Sequence, residues 1–285
     1  MGGIIVVVGY LVAVAASYIV GQPENISYLD RVKPSFILLA IGFALIGFVD
    51  DFVVPRLIQG KRGLGWKQKI LMQLVLSVVA VGLCYGWSFD FEHFAAIFII
   101  LFFSNAYNFS DGLDGLAGTL LLGLCLGIVG VSLFTAWMEP VALMIVPLAG
   151  AIIPFLFLNA PPAKVFMGDV GSLPIGAILG LAVSCLTFQP GWAQIDAVTD
   201  MIGAGSSPVN AACFVLSLMM VVELVPVPLQ ILSVKLRKKK LFPYTPIHHA
   251  FEKAGWPETR VVWMFALTQL LLSLAAISIL VAHLP

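Results

Sequence analysis

The sequence predicts an all-α fold, a polytopic membrane helix bundle of about nine transmembrane helices that forms one domain over residues 1–285. The first observation is composition, because 60% of the residues are hydrophobic and 11% are charged. The second is the mean hydropathy of +1.04, and both set the chain apart from soluble domains. The third is that apolar residues come in runs of roughly 17 to 25, the length that a helix needs to cross about 30 Å of hydrocarbon. A membrane β-barrel would need short alternating segments instead.

Nine apolar runs are separated by polar or turn-forming residues, and each is predicted to be one transmembrane helix. The predicted spans cover about 3–20, 34–50, 70–87, 93–110, 116–137, 140–158, 172–189, 208–232 and 260–283. The four cysteines fall inside these spans without a CxxC pair, so we interpret them as small apolar packing residues. The zero net charge suggests no nucleic-acid partner. The first run lacks a basic start and a clear cleavage site, so we expect no cleavable signal peptide.

The distribution of lysine and arginine predicts the orientation, because short cytoplasmic connections are enriched in these residues. One set of connections carries 13 of the 15 basic residues, namely Arg56, Lys61, Arg62, Lys67, Lys69, Lys164, Lys235, Arg237, Lys238, Lys239, Lys240, Lys253 and Arg260. The other set carries Arg31 and Lys33. We therefore expect Met1 on the cytoplasmic side and Pro285 outside. The dense polar clusters all fall on the cytoplasmic side, where we expect the chemistry.

One of these clusters is NAYNFSDGLDGLAG, residues 105–118, between two apolar runs. Asp111 and Asp114 stand three apart, so in the first turn of the next helix they would share a face near the positive end of the helix dipole. A solvated turn is the alternative for an Asp-Gly pair. Two carboxylates and two asparagines exceed what a turn needs, so the pattern favours a metal or polar-ligand site.

Asp50 and Asp51 end the second apolar run, in GFVDDF. Adjacent residues point about 100° apart on a helix, so we expect at most one to point directly into a site while the other supports it or contacts water. Ionised residues at a membrane boundary suggest a function, and snorkelling at a helix end is the alternative.

Asp169 lies in VFMGDVGS, a turn with glycine on both sides. Glycines let a backbone approach a phosphate closely, and the start of the next helix offers unpaired N–H groups. A helix cap by Asp169 or Ser172 is the alternative. That alternative leaves the nearby Asn159 and Lys164 unexplained.

Two adjacent histidines, His248 and His249, follow the basic run KLRKKK. The run alone is explained as an inside-facing anchor, whereas the histidines could hold pyrophosphate oxygens or shuttle a proton. A two-histidine zinc site is possible, but the carboxylate-rich surroundings favour Mg²⁺. Glu223 is the one carboxylate well inside a predicted span. We interpret it as part of a polar network with a partner, and direct substrate binding is the alternative.

Five acidic residues on one face, with lysines, glycines and amides around them, are typical of a phosphoryl-transfer centre. Carboxylates hold Mg²⁺ there, and cations offset the charge of the phosphates. The sequence has no P-loop, so the phosphates would bind to loops at the membrane surface, and a lipid phosphate would be the acceptor. A secondary transporter is the rival class, and it is disfavoured because the motifs lie at one surface rather than at the midplane.

The motifs GFVDDF, NAYNFSDGLDGLAG, LNAPPAKVFMGDVGSLPIG and TPIHHAFEKAGWPETRVV, in this order, resemble the polyprenyl-phosphate N-acetylhexosamine-1-phosphate transferases, glycosyltransferase family 4. The last motif, with MGG at the start and VVELVPVPLQ at 221–230, is similar to the branch that uses UDP-MurNAc-pentapeptide. The resemblance covers nearly the whole chain. It implies transfer of phospho-MurNAc-pentapeptide to undecaprenyl phosphate with Mg²⁺, giving lipid I and UMP. It also implies a homodimer in the bacterial plasma (inner) membrane.

The resemblance also implies roles for individual residues. Asp50 would be the catalytic carboxylate acting on the lipid phosphate, with Asp51 beside it. Asp169 would be the principal Mg²⁺ ligand, with Asn108 as a further candidate. The nucleoside pocket would be lined by Asn108, Asp111, Asp114 and Phe166, the last by stacking on uracil. The pyrophosphate or the sugar-peptide part would contact Lys67, Asn159, Gln230, His248 and His249.

The chain departs from the family pattern in four places. The family usually has ten spans, and MGG normally follows a first span and a loop bearing a lysine, which we expect to be missing here. Val54 stands where the family has a lysine, and Ala250 where a third histidine is common. Residues 190–208 resemble an insertion. The alternatives are therefore a transferase that uses UDP-GlcNAc and an inactive, N-terminally truncated homologue.

Overall fold

The structure, a computed structural model, describes residues 2–20, 26–88, 90–135, 138–188, 190, 202–203 and 205–284. Its helices are α1 (Gly2–Val20), α2 (Ile26–Phe48), α3 (Val54–Leu57), α4 (Trp66–Tyr85), α5 (Phe91–Ser110), α6 (Leu116–Leu133), α7 (Glu139–Asn159), α8 (Asp169–Thr187), α9 (Ser207–Leu224), α10 (Pro226–Arg237), α11 (Ile247–Lys253) and α12 (Glu258–Val281). A π-helical turn, Val49–Val53, joins α2 to α3. Within the described ranges, the extended pairing amounts to one isolated bridge between Thr135 and Ile202. The all-α prediction is confirmed.

Each predicted span coincides with a helix or with two consecutive helices. Among the described residues, eight segments are long and apolar enough to cross a membrane, and the apolar helix Gly2–Ser17 is shorter. The predicted span 208–232 is divided, because α10 begins at Pro226, which has no N–H to continue the helical ladder. The chain is a multi-pass membrane helix bundle. Most of the predicted insertion at 190–208 lies outside the described residues.

The central helix of the bundle is α8, and nearly all of its side chains are buried. It packs against α1, α2, α5, α6, α7 and α9, while α4 packs on α2 and α5, and α12 on α6 and α9. Gly176 and Gly180 bring α5 close to α8, because a Cβ on Gly180 would lie 2.7 Å from the Cα of Ile100. All four cysteines are buried thiols, in line with their interpretation as packing residues. Because α8 begins at Asp169, this packing fixes Asp169 at one end of the bundle.

Candidate active site

Asp50 is held by two groups that come from beyond its own helix. It lies in the π-helical turn Val49–Val53. Its Oδ2 accepts a hydrogen bond from Lys69 Nζ at 3.0 Å, and its Oδ1 accepts one from the Leu64 N–H at 2.5 Å. Lys69 belongs to the first turn of α4, so this contact joins the end of α2 to the start of α4.

Asp169 is the first residue of α8, where the positive end of the helix dipole favours a carboxylate. Its Oδ2 forms an ion pair with Lys69 Nζ, and its Oδ1 accepts a hydrogen bond from Asn108 Nδ2 at 2.7 Å. Its backbone N–H donates to Asp51 Oδ2 at 2.9 Å. One carboxylate oxygen from each of Asp50, Asp51 and Asp169 lies within 4.8 Å of the others. The sequence predicted that at most one of the two adjacent aspartates would point directly into a site while the other supported it or contacted water. In the π turn, Asp51 is exposed and supports Asp169 through its backbone N–H, and a carboxylate oxygen of each aspartate is near Asp169.

Lys69 is the lysine that contacts the carboxylates. Lys67 is exposed, and its Nζ lies 5.6 Å from the centre of the Trp66 ring. Residues two apart on a helix point to nearly opposite sides, so the two lysines cannot share this site equally. The sequence contains a signal that favours Lys69: the polar residues Gln73 and Ser77 follow it at four-residue spacing, on the same face of α4. In the structure both are buried, so this face of α4 points inward.

The DGLDG turn, residues 111–115, joins two other segments of the site through its carboxylates. Asp111 Oδ2 accepts a hydrogen bond from the Gly168 N–H at 3.1 Å. Asp114 Oδ2 accepts one from the Ala163 N–H at 2.8 Å. The turn therefore fixes the loop that precedes α8, and with it the position at which α8 begins.

The surroundings of Asp111 change its acidity. Burial is the main cause that raises the pKa of Asp111 to about 7, the charges of Asp169 and Asp51 raise it too, and the hydrogen bond from Gly168 opposes them. The charge of Asp111 therefore changes near neutral pH.

Gly168, whose N–H contacts Asp111, has a φ of +68°. A Cβ there would lie 2.9 Å from Asp51 Oδ2, so the position needs glycine.

Asn159 and Phe166 lie at opposite ends of the loop between α7 and α8 and have different surroundings. Asn159 is buried, its Oδ1 accepts a hydrogen bond from the Gly115 N–H at 3.0 Å, and its Nδ2 donates to the Val165 carbonyl at 2.9 Å. The Phe166 side chain is 67% exposed. Asn159 therefore supports the DGLDG turn, and Phe166 presents its ring at the surface.

His248 and His249, in α11, lie against the DGLDG turn. A Cβ added to Gly112 would lie 2.5 Å from His248 Nε2 and 3.4 Å from His249 Nε2. His248 is fully buried, with Nδ1 2.8 Å from Glu223 Oε2. His249 is partly exposed, with Nδ1 2.9 Å from Glu252 Oε2. Glu223 therefore has a polar partner inside the bundle, in line with its interpretation from the sequence.

Gln230, on α10, bonds to the backbone that follows the basic run. Its Nε2 donates to the Phe242 carbonyl at 3.0 Å. Its Oε1 accepts hydrogen bonds from the N–H groups of Leu241, at 2.8 Å, and Phe242, at 3.0 Å. These contacts hold the loop against α10.

The cluster around Lys69 has the donor set that Mg²⁺ prefers. Oxygens of three carboxylates lie within 4.8 Å of one another, and carboxylate oxygens are its usual protein ligands. Lys69 Nζ contacts both Asp50 and Asp169, so a positive charge is already accommodated between them. Among the residues that the structure describes, three carboxylates face one ammonium group, which leaves negative charge in excess. Asp50, Asp51 and Asp169 therefore fit a divalent cation, with Asn108 beside Asp169.

Comparison with known proteins shows the family to which this chain belongs. Residues 34–187, which include the three carboxylates and Lys69, match the model of Glycosyl transferase family 4. The phospho-N-acetylmuramoyl-pentapeptide-transferase of Desulforamulus reducens is 35% identical over 97% of this chain and 80% of its own length. The enzymes of the same name from Bacillus subtilis and from the Wolbachia of Brugia malayi are 31% and 30% identical, each over 98% of this chain and 82% and 83% of their own lengths. This chain therefore belongs to glycosyl transferase family 4 and, within it, to the family of the phospho-N-acetylmuramoyl-pentapeptide-transferases.

Proposed function

We propose that this chain transfers phospho-MurNAc-pentapeptide from UDP-MurNAc-pentapeptide to undecaprenyl phosphate, giving lipid I and UMP. The observation that carries the proposal is the cluster of Asp50, Asp51 and Asp169 around Lys69 at one end of a membrane bundle. In the reaction, an oxygen of the lipid phosphate forms a bond to the phosphorus that carries the sugar, and the bond from that phosphorus to the UMP oxygen breaks. The names of the relatives support this donor over UDP-GlcNAc.

The residues around the cluster suit the two substrates in different ways. Asp50 acts on the lipid phosphate, and Lys69 beside it offsets negative charge on the phosphates. The exposed ring of Phe166 supports stacking on uracil. The resemblance assigns Asn108, Asp111 and Asp114 to the nucleoside, and it assigns the pyrophosphate or the sugar-peptide part to Lys67, Asn159, Gln230, His248 and His249.

We also propose that activity requires Mg²⁺, held by Asp50, Asp51 and Asp169 with Asn108 beside them. Bound there, the ion would neutralise charge on the pyrophosphate. The excess of carboxylates over the single ammonium of Lys69 supports this requirement. Removing Mg²⁺ with a chelator should stop UMP release, and adding Mg²⁺ back should restore it. Full activity in the chelator would contradict the requirement.

The experiment for the transfer itself measures UMP release by the purified chain with undecaprenyl phosphate and Mg²⁺. Parallel reactions contain UDP-MurNAc-pentapeptide or UDP-GlcNAc. We expect UMP from the first donor and background from the second. Asp30→Asn serves as a matched control, because Asp30 is an exposed aspartate on α2 at the end away from Asp50. Release from UDP-GlcNAc alone would reassign the donor, and release from neither would contradict the proposal.

The 13-to-2 distribution of basic residues supports an active site at the cytoplasmic face, with the N-terminus inside and the C-terminus outside. The resemblance supports a homodimer. Cysteines introduced at Lys61 or Lys239 should be labelled from the cytoplasmic side only, and a cysteine at Glu92 from outside only. The four native cysteines are buried and should add little background. The reverse labelling would contradict the orientation.

A further inference from the structure

A fully buried acid–base pair lies behind the DGLDG turn. Glu223 stands in the last turn of α9 and His248 in α11, and neither side chain is exposed. One hydrogen bond of 2.8 Å joins Glu223 Oε2 and His248 Nδ1. The other two polar atoms of the pair, Glu223 Oε1 and His248 Nε2, are buried without a hydrogen-bond partner among the described residues. Buried polar atoms are paired in most native proteins, so these two require an explanation.

The net charge of the pair indicates where its protons lie. An ionised Glu223 bonded to a neutral His248 would bury one uncompensated negative charge, which is costly away from water. Two arrangements are neutral overall: a carboxylate with an imidazolium, or a protonated Glu223 that donates to His248 Nδ1. Each of them places a proton on Nε2. His248 therefore has a hydrogen-bond donor, Nε2–H, on the side away from Glu223.

This donor points at the edge of the candidate active site. A Cβ on Gly112 would lie 2.5 Å from His248 Nε2, so the imidazole edge lies directly against the turn that contains Asp111. The rings of His249 and Phe265 lie 4.3 Å and 6.5 Å from the His248 ring, centroid to centroid. The ring is therefore held by packing against these two rings and at Nδ1 by Glu223, while Nε2–H is left for another partner.

We propose that Glu223 is a positioning residue that acts through His248. It holds the imidazole so that Nε2–H donates to an anionic phosphate oxygen of the nucleotide donor when the DGLDG turn adjusts around the bound donor. A phosphate oxygen is the ligand that suits an N–H donor, and most of all an imidazolium. Glu223 itself contacts no substrate. This inference rests on the proposed function, because it assumes a nucleotide donor at this site.

The chain contains a matched control for this pair. His249 Nδ1 lies 2.9 Å from Glu252 Oε2, the same kind of contact one residue further along α11. The side chains of this second pair are 36% and 40% exposed, so water competes for the contact and its effect should be small. Glu252→Gln therefore removes a histidine–carboxylate contact of similar length without burial.

The test compares wild type, Glu223→Gln and Glu252→Gln in kcat, in KM for both substrates, and in thermal stability in detergent. We expect Glu223→Gln to raise KM for UDP-MurNAc-pentapeptide about tenfold, the value of one hydrogen bond to a charged group. The KM for undecaprenyl phosphate and the thermal midpoint should stay close to wild type. Glu252→Gln should change each value less than about twofold. An equal rise in both KM values, or a large fall in the midpoint, would show that Glu223 only supports the fold.

A double-mutant cycle tests whether the effect passes through His248. If it does, Glu223→Gln combined with His248→Gln should lose no more than His248→Gln alone, whereas independent effects would add and overturn the inference. If Glu223→Gln does not fold, Gly112→Ala takes its place. Its Cβ would displace His248 Nε2, and we expect a similar rise in the donor KM. An unchanged donor KM in a folded Gly112→Ala variant would overturn the inference.

A wild-type chain that releases no UMP would contradict the proposed function alone. The pair is then tested by the thermal shift that UDP induces. We expect that shift to be smaller in Glu223→Gln than in Glu252→Gln. Equal shifts in the two variants would overturn the role of Glu223.

Discussion

The two ends of the α4–α5 helix pair carry acid–base clusters that are built in different ways. At the end where α4 begins, Lys69 contacts Asp50 and Asp169, which lie 19 and 100 residues away in the sequence. At the other end, Asp90 caps α5, accepting a hydrogen bond from the His93 N–H at 3.1 Å and contacting His93 Nδ1 at 2.7 Å. His93 Nε2 lies 2.8 Å from the Gly86 carbonyl, so these partners all lie within seven residues.

The difference separates a structural cluster from a candidate catalytic one. The Asp90 cluster is local, because this carboxylate caps α5 and contacts both the N–H and the ring Nδ1 of His93. The Lys69 cluster is assembled by packing, and its three carboxylates exceed its one ammonium. Asp111, in the turn beside the Lys69 cluster, differs from Asp90 in its pKa. A hydrogen bond from His93 lowers the pKa of Asp90 to about 2, whereas burial raises that of Asp111 to about 7. A cluster in which carboxylates outnumber the basic groups beside them therefore indicates where a cationic ligand would bind.

The largest difference is expected when aspartate is replaced by asparagine at each of the two ends, at Asp169 and at Asp90. Asp169→Asn should reduce the rate of UMP release at least about a hundredfold, or about 2.7 kcal/mol in the barrier, because it removes a ligand of the proposed Mg²⁺ site. The rate of UMP release by Asp90→Asn should stay within about twofold of the wild-type rate, because Asp90 is an exposed group. If Asp169 were only a helix cap, its replacement by asparagine would have a mild effect, because asparagine also caps helices.

The second prediction separates the two lysines of α4. Lys69→Met should reduce kcat/KM at least about tenfold more than Lys67→Met, because Lys69 bridges Asp50 and Asp169. Both variants remove one charge from the same helix turn, so each serves as the control for the other. A greater loss from Lys67→Met would transfer the phosphate-binding role to Lys67, as the resemblance implies.

The third prediction uses the raised pKa of Asp111. The folded chain holds this proton up to about pH 7, while the unfolded chain releases it near pH ~4, so the folded state binds more protons between these values. Wild type should therefore lose stability as pH rises through this window. Asp111→Asn removes that loss, so its thermal midpoint in detergent should fall less between pH 5 and pH 8. Parallel curves for the two proteins would contradict the assigned pKa.

The smallest effect is expected for Asp90. Its contribution to stability depends on pH in the opposite direction to that of Asp111. Its lowered pKa means that its contribution is present above pH ~4 and is lost as pH falls towards 2. The group is exposed, so Asp90→Asn should lower the thermal midpoint only slightly at pH 7, and the two midpoints should converge near pH 2. A midpoint difference that persists at pH 2 would point to another role for this side chain.

The helices could be predicted from the sequence because the membrane signal is local: each span needs about 20 apolar residues in a row. The rotation of the helices about their axes could not be predicted in the same way. The π turn that carries Asp50 and Asp51 lies where α2 packs against α8. The choice of Lys69 over Lys67, and the contact between Glu223 and His248, likewise depend on which face each helix turns inward. The motifs predicted the candidate residues, whereas tertiary packing determines which of their side chains contact one another.

The long reach of the contacts around the DGLDG turn has a consequence for biogenesis. The backbone N–H of Asp114 donates to Glu258 Oε1 at 2.6 Å, across 144 residues, and Glu258 is the first residue of α12. A chain emerging from the ribosome would thus insert Asp50, Lys69 and Asp169 well before the residue that steadies the neighbouring turn. We expect nascent, partly inserted chains to be catalytically inactive. Consumption of nucleotide donor would then begin only when α12 has entered the membrane.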